Sequence, residues 1–293
     1  MRIRWITTDS LGGSFLTDSQ LMKYATEQYK VQFTDKRKEK VDLIVVSNIS
    51  GIEKEVMEDL TIPYVKIEHD YGFCRWYDAL CDFHKCKECT VRGELYTTLY
   101  QNSLLNYFMS PRQYSVHAFH LGDIPNVRFV QSQVDVDALL TLNKAKEAGY
   151  TIAPVAIGKH KGIEAVITWA QVHKRLVHVF GRMEETILLE KMSKAKYVKY
   201  EGLLPNTKLL EQMARAEEIV FLPFWTEPTG RVAIEAIFLQ CKVDTNSNLG
   251  LTSWLKEPTA VDLSLQMYVS RFVFWQSIFN VMGISGGGNN AAL

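Results

Sequence analysis

The chain of 293 residues has no net charge of either sign, because 33 basic residues balance 33 acidic residues. A neutral chain has no overall field that would attract nucleic acid or an anionic membrane, although a local basic patch is still compatible with neutrality. Composition therefore gives no support to nucleic acid as a partner or substrate.

Long apolar runs are also missing. The opening segment Met1–Thr8 has too short an apolar run for a secretory signal peptide, and no uninterrupted stretch reaches the roughly 18 apolar residues of a spanning helix. We therefore expect a cytoplasmic protein without a transmembrane segment. Since 47% of the residues are hydrophobic, the chain has enough apolar side chains for two ordinary cores.

Several catalytic signatures are absent from the sequence. There is no Walker loop, no H-E-x-x-H pair and no Ser/His/Asp order, and the turn after the first predicted strand lacks the G-x-G-x-x-G spacing. The missing glycine spacing disfavours hydride transfer from a dinucleotide. Residues 284–293 are rich in glycine and asparagine, and we predict that they form a flexible tail.

What the sequence does contain is a repeated alternation of apolar β-branched runs and helical periods, which restarts at Thr151. The pattern predicts an α/β protein with two doubly wound domains, residues 1–133 and 134–264, with an apolar helix over 265–282 that packs back on the first domain. Within the first domain we also predict a helix over 94–108 and a strand over 114–119.

The segment Glu227–Glu235 places two carboxylates eight positions apart across a predicted strand-to-helix junction. The apolar run Ile219–Pro223 precedes it, and a helix is predicted to begin near Gly230. Backbone N–H groups at a helix start have no intrahelical partners and carry partial positive charge, so the region of Thr229, Gly230 and Arg231 suits an anion. The alternative is that both glutamates are merely solvated acids.

This segment, with Phe221–Pro223 before it and Asn246–Gly250 after it, resembles the E-x7-E region of the retaining GT-B glycosyltransferases of family 4. The resemblance implies two Rossmann-like domains that face each other across a cleft, a UDP- or GDP-sugar donor, a hydroxyl acceptor and no required metal. It also implies that Glu227 contacts the donor sugar and that Glu235 contacts the nucleotide ribose.

Cations for a diphosphate are predicted in the cluster Lys159–Gly162, which opens a helix after the first strand of the second domain. In the resembled family a Lys before a Gly binds the donor diphosphate, and Lys161 matches that position. The family's Arg has no clean match, because Ala156 stands five positions before Lys161, so Lys159 or Arg231 would supply the charge. A solvated lysine cluster is the alternative.

Further donor contacts are expected from loops at the carboxyl edges of the predicted sheets, where ligands bind in open parallel sheets. The resemblance implies contacts from a Gly-Gly turn in the first domain and from loops of the second domain, and ordinary connections are the alternative. These residues are Gly12, Gly13, Arg182, Gly202, Leu203, Leu204 and, near the phosphates, Asn248–Gly250.

The triplet His69-Asp70-Tyr71 ends a predicted strand at the same kind of edge. It resembles a triplet in a branch of family 4 in which a His contacts the donor sugar, so we group His69 with Glu227 and Lys161 as catalytic candidates. A packed, hydrogen-bonded histidine is the alternative. Asp70 is a candidate on the acceptor side.

Four cysteines, Cys74, Cys81, Cys86 and Cys89, lie within sixteen residues after this triplet. Only Cys86 and Cys89 have a spacing typical of metal ligands. The alternatives are a structural zinc site and a set of free thiols.

The resemblance therefore implies a retaining, metal-independent hexosyltransferase that acts on a glycan, a small molecule or a modified nucleobase. Two alternatives remain at this point: a non-catalytic protein that binds a sugar nucleotide, and a sugar-nucleotide epimerase of the same fold.

Overall fold

The structure is a computed structural model that describes residues 1–8, 13–82, 85–142 and 144–284. The chain forms two compact units. Unit 1 contains Met1–Val134 and the chain from Leu265 onward, and unit 2 contains Asp135–Ser264.

Unit 1 is built on a sheet of six parallel strands in the order β2-β1-β3-β4-β5-β6. The order reverses between β1 and β3, which is the switch point where doubly wound sheets open to ligands. The central strands β3 and β4 are buried throughout, and β3 is entirely apolar, as expected for a sheet covered on both faces. The strands are β1 (Arg2–Ile6), β2 (Gln32–Thr34), β3 (Leu43–Val46), β4 (Tyr64–Glu68), β5 (Asn106–Phe108) and β6 (Val127–Phe129).

Helices cover the sheet of unit 1, and one of them comes from the far end of the chain. Trp275 on the last helix donates from Nε1 to the Leu21 carbonyl oxygen at 3.0 Å, and the neighbouring Phe274 lies in the same buried core as Ile3 and Trp5. The helices are α1 (Gly13–Tyr29), α2 (Glu53–Asp59), α3 (Lys87–Asn102), α4 (Pro111–Leu121) and, from Leu265 onward, α10 (Ala260–Val281).

Two sequence predictions for unit 1 are wrong. The predicted helix over 94–108 ends at Asn102, and residues 106–108 form β5. The predicted strand over 114–119 is part of α4, because Ser110 accepts a hydrogen bond from the Gln113 N–H at 3.1 Å and Pro111 occupies the first turn. This combination of cap and proline is typical of a helix start and outweighs the apolar alternation.

Unit 2 is built on five parallel strands in the order β11-β10-β7-β8-β9. Here the order reverses between β7 and β10. The strands are β7 (Glu147–Pro154), β8 (Val177–Phe180), β9 (Val198–Gly202), β10 (Ala216–Phe221) and β11 (Lys242–Thr245), and the helices are α5 (Val136–Thr141), α6 (Ile163–His173), α7 (Thr186–Lys194), α8 (Asn206–Arg215) and α9 (Arg231–Phe238).

Among the residues described above, none of the helices combines the length and the apolar character needed to cross a bilayer. The predicted cytoplasmic location stays a prediction.

Candidate functional site

The switch point of unit 2 brings together the loops that follow β7 and β10. Lys161, in the 3-10 turn Lys159–Lys161 after β7, places its Nζ 2.7 Å from Oε2 of Glu227 in the loop after β10. The Trp225 Nε1–H donates to the same oxygen at 3.3 Å, and its ring centroid lies 5.3 Å from the lysine Nζ. Two predicted catalytic residues, more than sixty positions apart, therefore lie in direct contact.

Glycine permits the close approach of these two loops. Gly162 has a φ of +76°, and a Cβ at this position would lie 1.7 Å from the Leu222 carbonyl oxygen. The Phe224 N–H also donates to the His160 carbonyl oxygen at 3.0 Å. No other residue fits between the loops, so Gly162 fixes where the neighbouring Lys161 side chain begins.

The loop that follows β11 holds Glu227 in place. The Glu227 N–H donates to the Asn248 carbonyl oxygen at 2.9 Å, and the Gly250 N–H donates to the Glu227 carbonyl oxygen at 2.8 Å. The Asn248 Nδ2 donates to the Phe224 carbonyl oxygen at 3.0 Å. In the structure, Asn248 and Gly250 thus support the loop that carries the carboxylate.

Helix α9 begins immediately after this loop. Gly230 caps it with a φ of +84°, and Thr229 before it is buried. In the first turn, Arg231 donates from Nε to Oε1 of Glu235 at 2.7 Å. Burial raises the pKa of the Glu235 carboxyl, and Arg231 opposes this rise. The helix start, the arginine and the second carboxylate of the E-x7-E segment therefore form one connected group.

The other predicted cations of unit 2 lie near acidic partners. Lys159 is exposed, and its backbone N–H donates to Glu185 Oε1 at 2.6 Å. Arg182 donates to Glu184 Oε1 at 2.7 Å, and Glu184 Oε2 lies 3.4 Å from Nε2 of His160. Burial and the charge of Lys161 lower the pKa of His160, which stays neutral near pH 7.

The remaining predicted donor residues of unit 2 lie at the carboxyl end of β9. Gly202 ends the strand with a φ of +92°, and its carbonyl oxygen accepts from the Gly181 N–H at 3.0 Å. Leu203 is exposed and Leu204 is half-buried. Their backbone groups therefore lie on the edge of the sheet that carries Lys161 and Glu227.

At the switch point of unit 1, His69 lies after β4 and its Nε2 is 2.8 Å from Oδ1 of Asp18. Asp18, fully buried on α1, also accepts from the Trp5 Nε1–H at 3.0 Å and from the Ser47 hydroxyl at 2.6 Å. A carboxylate only accepts, so Nε2 carries the histidine hydrogen. Gly13 begins α1, whereas the predicted contact Gly12 lies outside the described residues.

A buried ion pair lies beside His69. Lys66 is 1% exposed, and its Nζ lies 3.2 Å from Oε2 of Glu68. Lys66 also donates to the Ser47 carbonyl oxygen at 3.1 Å, and Glu68 accepts from the Tyr100 hydroxyl at 2.7 Å. Burial lowers the pKa of the Lys66 ammonium, and Glu68 opposes this. Burial would raise the pKa of Glu68, but Lys66 and its other partners hold it below its ordinary value.

Sequence reasoning missed Asp18, Trp225 and this Lys66–Glu68 pair. The signal for the pair is a lysine and a glutamate two positions apart in an otherwise apolar strand, which places both on one buried face. The signal for Trp225 is an aromatic residue two positions before Glu227.

The four cysteines do not all come together. The Sγ atoms of Cys74, Cys81 and Cys89 lie within 4.8 Å of one another. Cys86, which the spacing favoured as a ligand with Cys89, instead caps α3, where its Sγ accepts from the Cys89 N–H at 3.4 Å.

Comparison with known proteins gives structural similarity without sequence similarity. No protein-family model matches the chain, and no curated protein matches its sequence at a significant level. Among solved structures, AviGT4, a glycosyltransferase involved in avilamycin A biosynthesis, is 12% identical with a TM-score of 0.65, and the match covers 96% of this chain and 98% of that chain.

HepE from Anabaena, solved with UDP and also with UDP-glucose, matches at 12% identity. In its UDP complex the TM-score is 0.64, and the match covers 96% of this chain and 92% of that chain. WaaG, a glycosyltransferase involved in lipopolysaccharide biosynthesis, matches at 12% identity with a TM-score of 0.57, over 97% of this chain and 95% of that chain. At such identities the likeness shows the fold alone. The chain has the fold of GT-B glycosyltransferases, with two Rossmann-like α/β domains, which confirms the predicted fold class.

Proposed function

We propose that this protein is a retaining glycosyltransferase that transfers a sugar from a nucleoside diphosphate sugar to a hydroxyl group. The observation that carries the proposal is the contact between Lys161 and Glu227 beside the start of α9, at the switch point of unit 2. That arrangement supplies a cation, a helix start and a carboxylate on one edge of a parallel sheet.

The cation and the helix start suit the diphosphate. The first N–H groups of a helix lack intrahelical partners and point along its axis, and they favour phosphate oxygens. Lys161 adds a full positive charge, because an ammonium binds phosphate as a point charge. Arg231 lies in the first turn of the same helix, although its pairing with Glu235 offsets much of its charge.

The carboxylate suits the sugar. Departure of the diphosphate leaves an oxocarbenium-like centre, which a nearby negative charge stabilises in the transition state. Glu227 would contact the donor sugar, while Lys161 stabilises the negative charge that develops on the leaving diphosphate. The departing phosphate would accept the proton of the acceptor hydroxyl, so the reaction as proposed needs no divalent metal ion.

His69, in unit 1, stays a predicted contact to the donor sugar. Its pairing with Asp18 orients the ring and keeps the hydrogen on Nε2, so Nδ1 is the nitrogen able to accept a hydrogen bond from a sugar hydroxyl. Gly13, Lys159, Arg182 and the backbone at Gly202, Leu203 and Leu204 stay predicted donor contacts. The complexes of HepE with UDP and UDP-glucose make UDP-sugars the first donors to test.

Donor turnover tests this proposal. The wild type is incubated with UDP- and GDP-sugars, and released nucleoside diphosphate is measured for the wild type, Glu227→Gln and the control Glu217→Gln, whose carboxylate lies on the exposed side of β10 paired with Arg175. We expect release by the wild type and the control and a loss of roughly 100-fold or more in Glu227→Gln, by analogy with the removal of one preorganised electrostatic group.

The anomer formed tests retention. Proton NMR of the first sugar released from an α-linked donor should show the α anomer, and a β anomer would contradict the retaining mechanism. Absence of any nucleoside diphosphate release from the wild type, with every donor, would contradict the catalytic proposal.

A binding protein without turnover is the second candidate. Two observations favour it: Ala156 stands where the resembled family has an arginine, and both Lys161 and Arg231 are paired with glutamates. It predicts that a sugar nucleotide raises the melting temperature, while neither the wild type nor Glu227→Gln releases any nucleoside diphosphate.

A further inference from the structure

The segment between β4 and α3 is long and irregular. It runs from residue 69 to residue 86, and its described residues form no α-helix or β-strand. Structureless segments of this length are uncommon in compact domains, because each ordered residue loses backbone entropy without gaining ladder hydrogen bonds. Something other than regular secondary structure therefore has to hold this segment.

Two thiols of this segment, those of Cys74 and Cys81, meet the thiol of Cys89 in the first turn of α3. The Sγ atoms of Cys74 and Cys89 are 3.7 Å apart, and those of Cys81 and Cys89 are 3.6 Å apart. A disulfide would require about 2.05 Å. Tetrahedral zinc with Zn–S bonds of about 2.3 Å separates its sulfur ligands by about 3.8 Å. The observed separations therefore match the edge of a zinc–thiolate tetrahedron far better than they match a disulfide.

A backbone donor and burial at these sulfur atoms suit a bound metal ion. The Trp76 N–H donates to Cys74 Sγ at 3.4 Å, and hydrogen bonds of this kind stabilise a metal-bound sulfur. Cys74 and Cys89 are fully buried, which protects a bound ion from solvent.

We propose that Cys74, Cys81 and Cys89 bind one zinc ion that holds the segment from residue 69 to residue 86 against the rest of unit 1. Binding deprotonates the three thiols and releases their protons to solvent, with no redox change. The ion is structural, because it cross-links a segment without regular hydrogen bonding to helix α3 through Cys89, fifteen residues after Cys74. This site is independent of the proposed sugar-nucleotide chemistry in unit 2.

Metal content tests the site directly. The full chain is produced with zinc in the medium, kept reduced, and analysed for zinc by mass spectrometry. We expect about one zinc per chain for the wild type and for the control Cys241→Ser, whose thiol lies in unit 2. We expect Cys81→Ser, which alters the half-exposed member of the trio, to lose most of the zinc.

Two further measurements on the wild type, cobalt absorption and thiol alkylation, keep the test decisive if Cys81→Ser folds poorly. Cobalt bound to the metal-depleted wild type should give the intense thiolate-to-cobalt absorption of a tetrahedral site. Alkylation mapped by peptide mass spectrometry should show Cys74, Cys81 and Cys89 protected by zinc and exposed by a chelator, with no such change at Cys241.

Three results would overturn the proposal. They are a reduced wild type that takes up no zinc or cobalt, a Cys81→Ser variant that keeps the full zinc content, and a chelator that leaves the alkylation of the three thiols unchanged. Retention of zinc by Cys81→Ser would instead favour a site that includes Cys86, whose spacing from Cys89 is typical of metal ligands.

Discussion

The carboxyl edges of the two sheets carry charged groups of very different character. In unit 1, Lys66 and Glu68 are almost fully buried and form an ion pair with each other. Lys66 also donates a hydrogen bond to the Ser47 carbonyl oxygen, and Glu68 accepts one from the Tyr100 hydroxyl. In unit 2, the side chains of Lys161 and Glu227 keep 24% and 16% of their surface exposed and lie beside a helix start.

The difference in exposure suits the two pairs to different roles: a buried pair positions its surroundings, whereas a partly exposed pair can bind a ligand. A buried pair has lost its hydration, and each member depends on the other, so it fixes the neighbouring backbone. A partly hydrated pair exchanges one partner for an anionic ligand at little cost. The edge of unit 2 is therefore the one suited to a diphosphate, and the edge of unit 1 holds its histidine in a set orientation.

The largest expected effect comes from breaking the buried pair. Lys66→Met leaves Glu68 buried without its cation, so we expect the free energy of unfolding of unit 1 to fall by about 3–5 kcal/mol. The matched change Lys161→Met in unit 2 should cost about 1 kcal/mol or less, because that pair is hydrated. Urea-dependent hydrogen exchange of peptides from each unit measures both values.

A double variant sharpens this comparison. Lys66→Met with Glu68→Gln removes the orphaned charge, so it should be more stable than Lys66→Met alone. Equal losses for Lys66→Met and Lys161→Met would show that the two edges do not differ as described.

His117 gives unit 1 a pH dependence of its own. Burial lowers the pKa of His117 from 6.5 to about 4, and its Nδ1–H donates to the Gln113 carbonyl oxygen at 3.0 Å. As the pH falls from about 6.5 toward 4, the unfolded chain binds a proton that folded His117 does not, so stability is lost. The loss in unit 1 should reach about 3 kcal/mol at pH 4.

The slope of stability against pH isolates this effect. His117→Asn should flatten the slope for unit 1 over that range, whereas His173→Asn on the exposed end of α6 should leave the slope for unit 1 unchanged. An unchanged slope in His117→Asn would contradict the neutral buried histidine.

A smaller effect is expected at the start of α9. In Gly230→Ala the new Cβ would meet Leu249 Cδ1 at 1.9 Å, and the φ of +84° disfavours a side chain. Because Leu249 is buried, we expect unit 2 to lose about 2 kcal/mol and to bind nucleoside diphosphates more weakly. Gly149→Ala has a φ of +77° and open space, so it should cost only about 1 kcal/mol without affecting binding.

The sequence predicted the features that depend on local pattern. An apolar β-branched run located β3, and the glutamate spacing located the loop that brings Glu227 to Lys161. Sequence-based prediction failed where the role of a residue depends on contacts between distant segments. The role of Asp18 depends on Trp5, Ser47 and His69 meeting around it, and no local period reveals such a meeting.

The cysteine segment shows the same limit. Spacing pointed to Cys86 and Cys89, because short separations are visible in sequence, whereas the structure joins Cys89 to Cys74 and Cys81 by folding an irregular segment back on itself. For helix α4 the deciding signal was local. The alternation of residues 114–119 predicted a strand, although the helix cap Ser110 and Pro111 in the first turn are both visible in the sequence.

Calorimetric titration of nucleoside diphosphates into the full chain tests the central claim most directly. UDP, GDP and ADP are titrated into the wild type, Lys161→Met and the control Lys191→Met, whose exposed ammonium pairs with Glu164. We predict that the best of these ligands binds the wild type and the control equally, and Lys161→Met about 10- to 100-fold more weakly, the effect of losing one charged hydrogen bond. Equal affinity for all three proteins, or no binding to the wild type, would contradict a diphosphate site at the switch point of unit 2.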